Sequence, residues 1–401
     1  MADPNLSVEN LEWQVKAREV ADKHIRPVAW KYDRLQEYPF EVRERMKEYG
    51  LFGVFVPKEH GGASGSVLNL CIVVEELARA CGGIGVGFAV NALGSFPIMI
   101  GGTDEQKQKY LPSIAKGERL VAFGLSELNA GSDAGGMATT AKRVDGGGWV
   151  LNGHKKWNTA GLVANLNTIF AVTDPESKSR RISAFAVDMP KDGLKITKVE
   201  DKMGIRAIPV VELAFDNMRL SDDALIGGRA GLGFTHAMAT LDKARPGVAA
   251  QAVGCAQGAL DFAIVYATKR VQFGEPISSK QMVQSLLSDM AMQVEAARQL
   301  VHAAARHIDA GSPKGNKFAA MAKCFATDVA MKVTTDAVQI FGGYGFMRDY
   351  PVEKFMRDAK ITQIYEGTNQ VQRLVIARNL IKEAGELDRL AGFIPIPEQL
   401  R

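Results

Sequence analysis

Apolar positions along this chain change their spacing twice. From the start to about residue 120 they recur at helical intervals. Ser7 to Ile25 mixes apolar and charged positions in that way until Pro27 interrupts it. Phe40 to Glu48 predicts a second helix, followed by Gly50 and the turn-rich Lys58-Glu59-His60-Gly61-Gly62. Val67 to Ala80 is apolar and stops at Cys81-Gly82-Gly83, and Asp104 to Ala115 is a short polar helix. Between Leu120 and about Leu220 the pattern shortens to β-rich runs: Val121 to Leu125, Trp149 to Asn152, Thr168 to Thr173, Ile182 to Asp188 and Val211 to Phe215. Asp145-Gly146-Gly147-Gly148, between Ala141-Lys142 and Trp149-Val150, is a hairpin signal. Helical spacing returns from about Gly231. Val283, Leu287, Met290, Val294, Ala297, Val301, Ala304 and Ile308 form a seam that Gly311-Ser312-Pro313 closes. Phe318 to Phe341 ends at Gly342-Gly343, Phe234 to Lys269 is bent or restarted by Pro246, and Val371 to Lys382 follows an N-cap at Thr368. Four such helices make an antiparallel bundle.

The fold class expected is therefore α+β multidomain. It comprises an N-terminal helical domain (1–120), a middle β domain built as a small barrel or sandwich (121–230), and a C-terminal four-helix bundle (231–385). Residues 386–401 begin with a short helical remnant and continue as an extended tail marked by Pro395 and Pro397.

Composition narrows the function. The 401 residues suffice for two or three domains, and 49 basic against 45 acidic residues leave a formal charge of only +4. No dense Lys/Arg run is interleaved with aromatics, so nucleic acid is not an expected partner. The uncharged run Ala80 to Thr103 is broken by glycines and Pro97, which predicts a buried helix plus a turn rather than a membrane span. Met1-Ala2-Asp3-Pro4-Asn5 lacks the features of a signal peptide, and a cytoplasmic location is expected. Cys71, Cys81, Cys255 and Cys324 are scattered through apolar contexts, as free buried thiols in a reducing compartment would be. No G-x-G-x-x-G follows a strand, no G-x-S-x-G occurs, and Gly311 to Lys317 imitates a P-loop with the wrong spacing. Paired Glu-x-x-His motifs are missing, so no metal is expected in the bundle.

The candidate chemistry lies elsewhere. Glu366 stands between Tyr365 and Gly367, just before the N-cap. A carboxylate there is either a surface group at a helix start or, if desolvated, a base with a raised pKa. Phe123 to Asp133 runs from a strand into a polar, glycine-containing loop, which is either a turn or a cradle for a pyrophosphate or a ring edge. Trp157, in Trp157-Asn158-Thr159, belongs either in the core or against a planar cofactor. Arg270, in Arg270-Val271-Gln272-Phe273-Gly274, is a surface residue or an anion clamp.

Taken together these stretches resemble the acyl-CoA dehydrogenase family over nearly the whole chain, closest to its medium- and short-chain members. The matching pieces, in the family's order and spacing, are Phe123 to Asp133, Trp157 to Thr159, Asp242-Lys243-Ala244-Arg245-Pro246, Arg270 to Gly274, Gln339-Ile340-Phe341-Gly342-Gly343-Tyr344-Gly345, Arg357-Asp358-Ala359-Lys360 and Tyr365-Glu366-Gly367-Thr368. The resemblance implies FAD-dependent dehydrogenation of an acyl-CoA thioester to a 2,3-enoyl-CoA, with electrons passed to an electron-transfer flavoprotein. Glu366 would remove the α-proton and a β-hydride would pass to N5 of FAD. The Glu366 backbone N–H and a ribityl hydroxyl would polarise the thioester oxygen. It implies that Phe123, Leu125, Ser126, Gly131, Ser132, Trp157, Thr159, Thr368 and Gln370 contact FAD. Arg270, Phe273, Gln281, Gln339, Gly342 and Gly343 are the contacts that a neighbouring subunit supplies, hence a homo-oligomer, usually a tetramer. Ser132, Asp242, Arg245, Tyr365, Gly367 and Arg378 correspond to acyl-CoA contacts. Ala244 occupies the position where some members carry their base, which leaves Glu366 as the sole base.

Leu128, Asn158 and Ala160 depart from the family pattern, and the last two are expected beside the flavin. An acyl-CoA oxidase or an enoyl-CoA reductase would use the same residues. A flavin monooxygenase needs no such base, and a non-catalytic protein would not need the flavin contacts. Straight short or medium acyl chains are expected, with branched and alicyclic groups open.

Overall fold

A computed structural model describes residues 4–393 of the chain. Helix α1 (Val8–Val20) starts at a capping box between Ser7 and Asn10, and its backbone continues through a π-helical turn at Ala21–Ile25. Helices α2 (Ala29–Leu35) and α3 (Phe40–Glu48) lead to α4 (Val67–Ala80), which is buried along nearly its whole length. The uncharged run is a single helix, α5 (Gly82–Gly101), with Pro97 inside it. A second capping box, Thr103 with Gln106, opens α6 (Asp104–Ala115). Helix α5 is long and apolar enough to cross a membrane, but it is a core helix, most of whose residues are buried within the fold.

Seven strands make one curled, mixed sheet: β1 (Val121–Gly124), β2 (Thr140–Arg143), β3 (Trp149–Thr159), β4 (Leu166–Val172), β5 (Ile182–Asp188), β6 (Leu194–Val199) and β7 (Val210–Leu220). The order is β1-β4-β2-β3-β7-β6, with β5 also on β4. Parallel pairing puts β1 against Leu166 to Ile169 and Thr140 of β2 against Val172, so both lean on β4. Residues 125–139, which connect them, form a loop. The expected hairpin joins β2 to β3 in the register Arg143↔Trp149, and Gly146, Gly147 and Gly148 all take positive φ in its turn. Strand β3 runs on to Thr159, well past Asn152. The polar edge strand β6, whose side chains are almost all exposed, carries no alternation to announce it.

The C-terminal helices are α7 (Gly233–Lys269), α8 (Gln281–Asp309), α9 (Gly315–Phe341), α10 (Val352–Thr362) and α11 (Asn369–Lys382). Pro246 does not restart α7, which runs as one helix. Between α7 and α8 lies a small hairpin, β8 (Val271–Gln272) with β9 (Glu275–Pro276). The seam of α8 faces inward as expected, with Met290, Val294, Ala297, Val301 and Ala304 buried. Helix α10 adds a fifth helix to the four expected. Residues Glu383–Phe393 form a 3-10 helix, while Pro395 and Pro397 lie outside the described residues. Helix α7 approaches α4 closely because Gly254 and Gly258 have no side chain: a Cβ at either would sit 2.3 Å from the carbonyl oxygen of Glu75 or Arg79. All four cysteines are buried and free. Among the described residues no group of three or more His, Cys, Asp or Glu converges as a metal site would require.

Candidate active site

The turn between α10 and α11 holds two consecutive residues in the left-handed region, Glu366 at φ 53° and Gly367 at φ 93°. For a residue with a Cβ that conformation costs about 1–3 kcal/mol and persists only when its surroundings fix it. Here three side chains hold the carbonyls of the turn. Arg245 Nε of α7 donates to Glu366 O at 3.4 Å. Gln372 Nε2 of α11 donates to Glu366 O at 3.3 Å and to Gly367 O at 3.0 Å. Lys323 Nζ of α9 donates to Gly367 O at 2.9 Å. At φ 93° any residue with a Cβ would be strained, and its Cβ would lie 2.4 Å from Gln372 Nε2 and displace that donor, so glycine suits the position. Thr368 Oγ1 accepts the Val371 N–H at 3.3 Å, the N-cap that the sequence predicts.

With its backbone gripped in this way, Glu366 turns its carboxylate inward. Oε2 is buried and has no hydrogen-bond partner among the described residues. Burial pushes the carboxyl up to about 7, against the opposing pull of the Arg245 and Lys323 charges. The Glu366 backbone N–H likewise donates to no group among the described residues. Arg245 is itself buried and pairs with Asp242 at 2.6 Å, and Asp242 also accepts from Asn316 Nδ2 at 2.6 Å. Next to Glu366, the Tyr365 hydroxyl donates to Gln251 Oε1, and Gln251 Nε2 donates to Gly82 O at 3.1 Å.

The sheet meets this turn at the end of β3. Tyr365 packs against the apolar cluster that contains Ala160, Val86, Val90, Ile205 and Ile208. The ends of β1 and β3 lie side by side, with Lys156 N–H donating to Ser126 O at 2.9 Å. At Trp157 the pairing of β3 with β7 breaks register, and the residue takes φ 57°. Its indole is 51% exposed, so Trp157 is not a core residue. Behind it a buried ion pair fixes the loop. Lys155 Nζ lies 2.6 Å from Glu127 Oε1 and 3.0 Å from Leu125 O, while Glu127 accepts the N–H groups of Ala138 at 2.6 Å and Thr139 at 3.1 Å. Burial lowers Lys155 to about 8 despite this partner. Leu125 is buried, Phe123, Ser126 and Thr159 are half-buried, and Gly131 and Ser132 are exposed on the loop. Leu128 stands at the exposed tip of the turn between Glu127 and Ala130. The Asn158 side chain is buried and exchanges hydrogen bonds with Asn167 at 3.0 and 3.3 Å, so it faces the sheet interior.

A second group of expected site residues lies elsewhere. Arg270 follows the C-terminal end of α7, 25 residues beyond Arg245, which is roughly 37 Å along the helix. Arg270 stacks on Tyr344 at 5.3 Å, and with Gly342, Gly343 and Met347 it lines an open hollow of about 420 Å³. Phe273 tops the β8–β9 hairpin at φ 55° and is 93% exposed. Gln281 and Gln339 are exposed. Within one chain these residues do not meet Glu366. Gln370 and Arg378 are exposed on α11. Sequence reasoning missed Lys323, Gln372, Gln251 and the Lys155–Glu127 pair. A lone lysine within the otherwise apolar run Ala319 to Ala326 was the available signal for Lys323.

An exposed indole held at a bulge beside a polar loop suits a planar ring, and a carboxylate unpartnered at a buried oxygen suits proton transfer; both fit a flavin enzyme. Comparison with known proteins points the same way. Residues 7–118, 122–218 and 231–381 match the family models described as the acyl-CoA dehydrogenase N-terminal, middle and C-terminal domains. A probable acyl-CoA dehydrogenase of Mycobacterium leprae is 48% identical over 94% of this chain and 96% of its own length. Butyryl-CoA dehydrogenase from Megasphaera elsdenii superposes with a TM-score of 0.91 at 41% identity, covering 95% of this chain and 100% of the other. A chain from structural work on the electron transferring flavoprotein of Acidaminococcus fermentans gives 0.91 at 45% identity, covering 94% and 99%. The chain belongs to the acyl-CoA dehydrogenase family of FAD-dependent oxidoreductases.

Proposed function

We propose that the protein dehydrogenates an acyl-CoA thioester across its α,β bond, with Glu366 as the base. The observation that carries this reading is the buried Glu366 carboxylate, unpartnered at Oε2 and raised to about 7 by desolvation. A base whose pKa lies near the working pH combines a substantial ionised fraction with the driving force to take a weakly acidic proton. The α-proton becomes acidic only if the enolate charge is stabilised as it forms, and the uncommitted Glu366 N–H offers one donor for it. Arg245 holds the turn and is itself held by Asp242; by the family resemblance both, with Tyr365, Gly367, Ser132 and Arg378, would contact the acyl-CoA.

When bound, FAD supplies the hydride acceptor. Trp157, Thr159, Phe123, Leu125, Ser126, Gly131, Ser132, Thr368 and Gln370 would hold it, while Lys155 and Glu127 keep the loop residues in place. The likeness to butyryl-CoA dehydrogenase supports a short straight acyl group. The likeness to a chain studied with an electron transferring flavoprotein supports such a protein as electron acceptor. The same reading makes the protein a cytoplasmic homo-oligomer, in the family's usual tetrameric form.

The test is anaerobic flavin bleaching against a panel of acyl-CoAs. Short straight chains should bleach fastest. Glu366→Gln should retain FAD and ligand binding yet lose bleaching by at least about 10³-fold. Near wild-type bleaching by that variant would remove Glu366 as the base. Rapid peroxide formation in air would favour an oxidase instead.

A further inference from the structure

Lys323 projects from the alanine-rich face of α9, and its side chain is completely buried. Removing an ammonium from water costs several kcal/mol unless an opposite charge answers it. Its two hydrogen-bond partners are neutral: Gly367 O and Asn369 Oδ1, each at 2.9 Å. The titratable and charged groups that act on it are Glu366 of the turn, Cys324 and Asp328 of its own helix, and Arg245 of α7. Arg245 is committed to Asp242. Asp328 pairs with Arg373 of α11 at 2.8 Å and also accepts from Gln363 and Asn369, each at 2.7 Å. Burial pushes the Cys324 thiol up, which leaves it neutral. That leaves Glu366. Among the described residues neither Lys323 nor Glu366 has an ion-pair partner, and Lys323 donates to the carbonyl of Gly367, the residue next to Glu366.

We propose that Lys323 is a positioning residue and the counter-charge of Glu366: through the Gly367 carbonyl it fixes the left-handed turn, and its ammonium keeps the carboxylate ionised. The inference rests on Glu366 being the base. Its physical content is a sign. Burial favours the neutral acid, and the two cations oppose it. Without the Lys323 charge only Arg245 opposes burial, and Arg245 is already balanced by Asp242. The Glu366 midpoint must then move further up, and the fraction of active base at pH 7 must fall.

The experiment compares K323M, which removes the charge at similar length, with K323R, which keeps it, both in the FAD-loaded protein. The Glu366 carboxyl is titrated directly by its infrared C=O stretch, isolated as the difference between each protein and the same protein carrying E366Q. In parallel, the acid limb of flavin bleaching by butyryl-CoA is followed against pH. The wild-type midpoint is expected near 7. K323M should raise it by about one unit or more in both measurements, and K323R should stay within about half a unit. A purely structural role would lower melting temperature or FAD content without moving the midpoint, and that result overturns the proposal. So does a K323R shift as large as that of K323M. If K323M does not fold alone, K323M/E366Q decides: folding restored by removing the carboxylate supports the counter-charge, and failure of the pair as well overturns it. Normal bleaching by E366Q would defeat the base assignment. Loss of bleaching in E366Q with an unmoved midpoint in K323M would defeat the counter-charge alone.

Discussion

Residue 366 carries two strains at once, a left-handed backbone and a desolvated acid, and both have a measurable sign. The ordinary carboxyl value is 4.5 and the folded value about 7. The folded protein therefore binds a proton that the unfolded chain has already released in the window between those values. Stability is greatest below pH 4.5 as far as this group is concerned, and it declines as pH rises through 7. The full difference is on the order of 3 kcal/mol at most. Glu366→Gln removes it. The variant should melt above wild type at pH 8, by several degrees, and the gap should close as pH falls towards 5. A gap independent of pH would mean that Glu366 titrates normally in the folded state. At this scale the sequence was informative about the turn that carries Glu366, because Tyr365-Glu366-Gly367-Thr368 contains the glycine and the N-cap that this turn needs. It offered Arg245 only through the family resemblance, as an acyl-CoA contact, and was silent about Lys323 and Gln372, which also hold the turn. Lys323, Arg245 and Gln372 converge on the turn from three different helices, and no spacing within any one helix encodes that meeting.

Elements were legible where one face of each differs from the other. The seam of α8 is the clearest case, with the apolar positions Met290, Val294, Ala297 and Val301 all buried. Legibility failed where charge replaces hydrophobicity inside the fold. Helix α10 buries Lys354 and Asp358 as an ion pair, and Asp358 also accepts the Ile205 N–H at 2.5 Å, so a charged stretch becomes the strut between bundle and sheet. Strand β6 failed for the opposite reason, since most of its side chains face solvent. Small residues were a further blind spot, because the reason for a glycine in α7 lies on α4. Gly254→Ala would bring a Cβ within 2.3 Å of the Glu75 carbonyl oxygen, where only backbone movement relieves the clash. The expected loss is about 1–3 kcal/mol in denaturant unfolding. Gly247→Ala, on the same helix with nothing within 4 Å of the new Cβ, should be neutral or stabilising by up to about 1 kcal/mol. Equal effects at the two positions would show that helix propensity, not the α4–α7 approach, sets the response.

At the scale of the whole molecule the expected site divides into two parts that a single chain cannot unite. Glu366 is held by Arg245 in the first half of α7, and Arg270, with Phe273, Gly342 and Gly343, belongs to the far end of that helix, roughly 37 Å along it. Phe273 is presented on a glycine-containing hairpin almost free of its own chain. We propose that a neighbouring copy receives this exposed phenylalanine as part of its flavin site. Complementation between defective copies tests this. R270A should lose FAD although Glu366 and its supports are untouched, and E366Q should keep FAD but not bleach. Homo-oligomers of either variant should therefore be inactive. In a hybrid, the R270A chain retains its own Glu366 and receives Arg270 from the E366Q chain, so one site in each mixed pair is intact. Unfolding and refolding the two variants together at equal amounts pairs half of the chains as hybrids. About a quarter of the sites then recover, which sets the expected activity at about one quarter of wild type. If each site were built within one chain, every hybrid would pair two dead sites and no activity would return. Recovery by mixing thus separates a shared site from a self-contained one without any knowledge of the interface geometry.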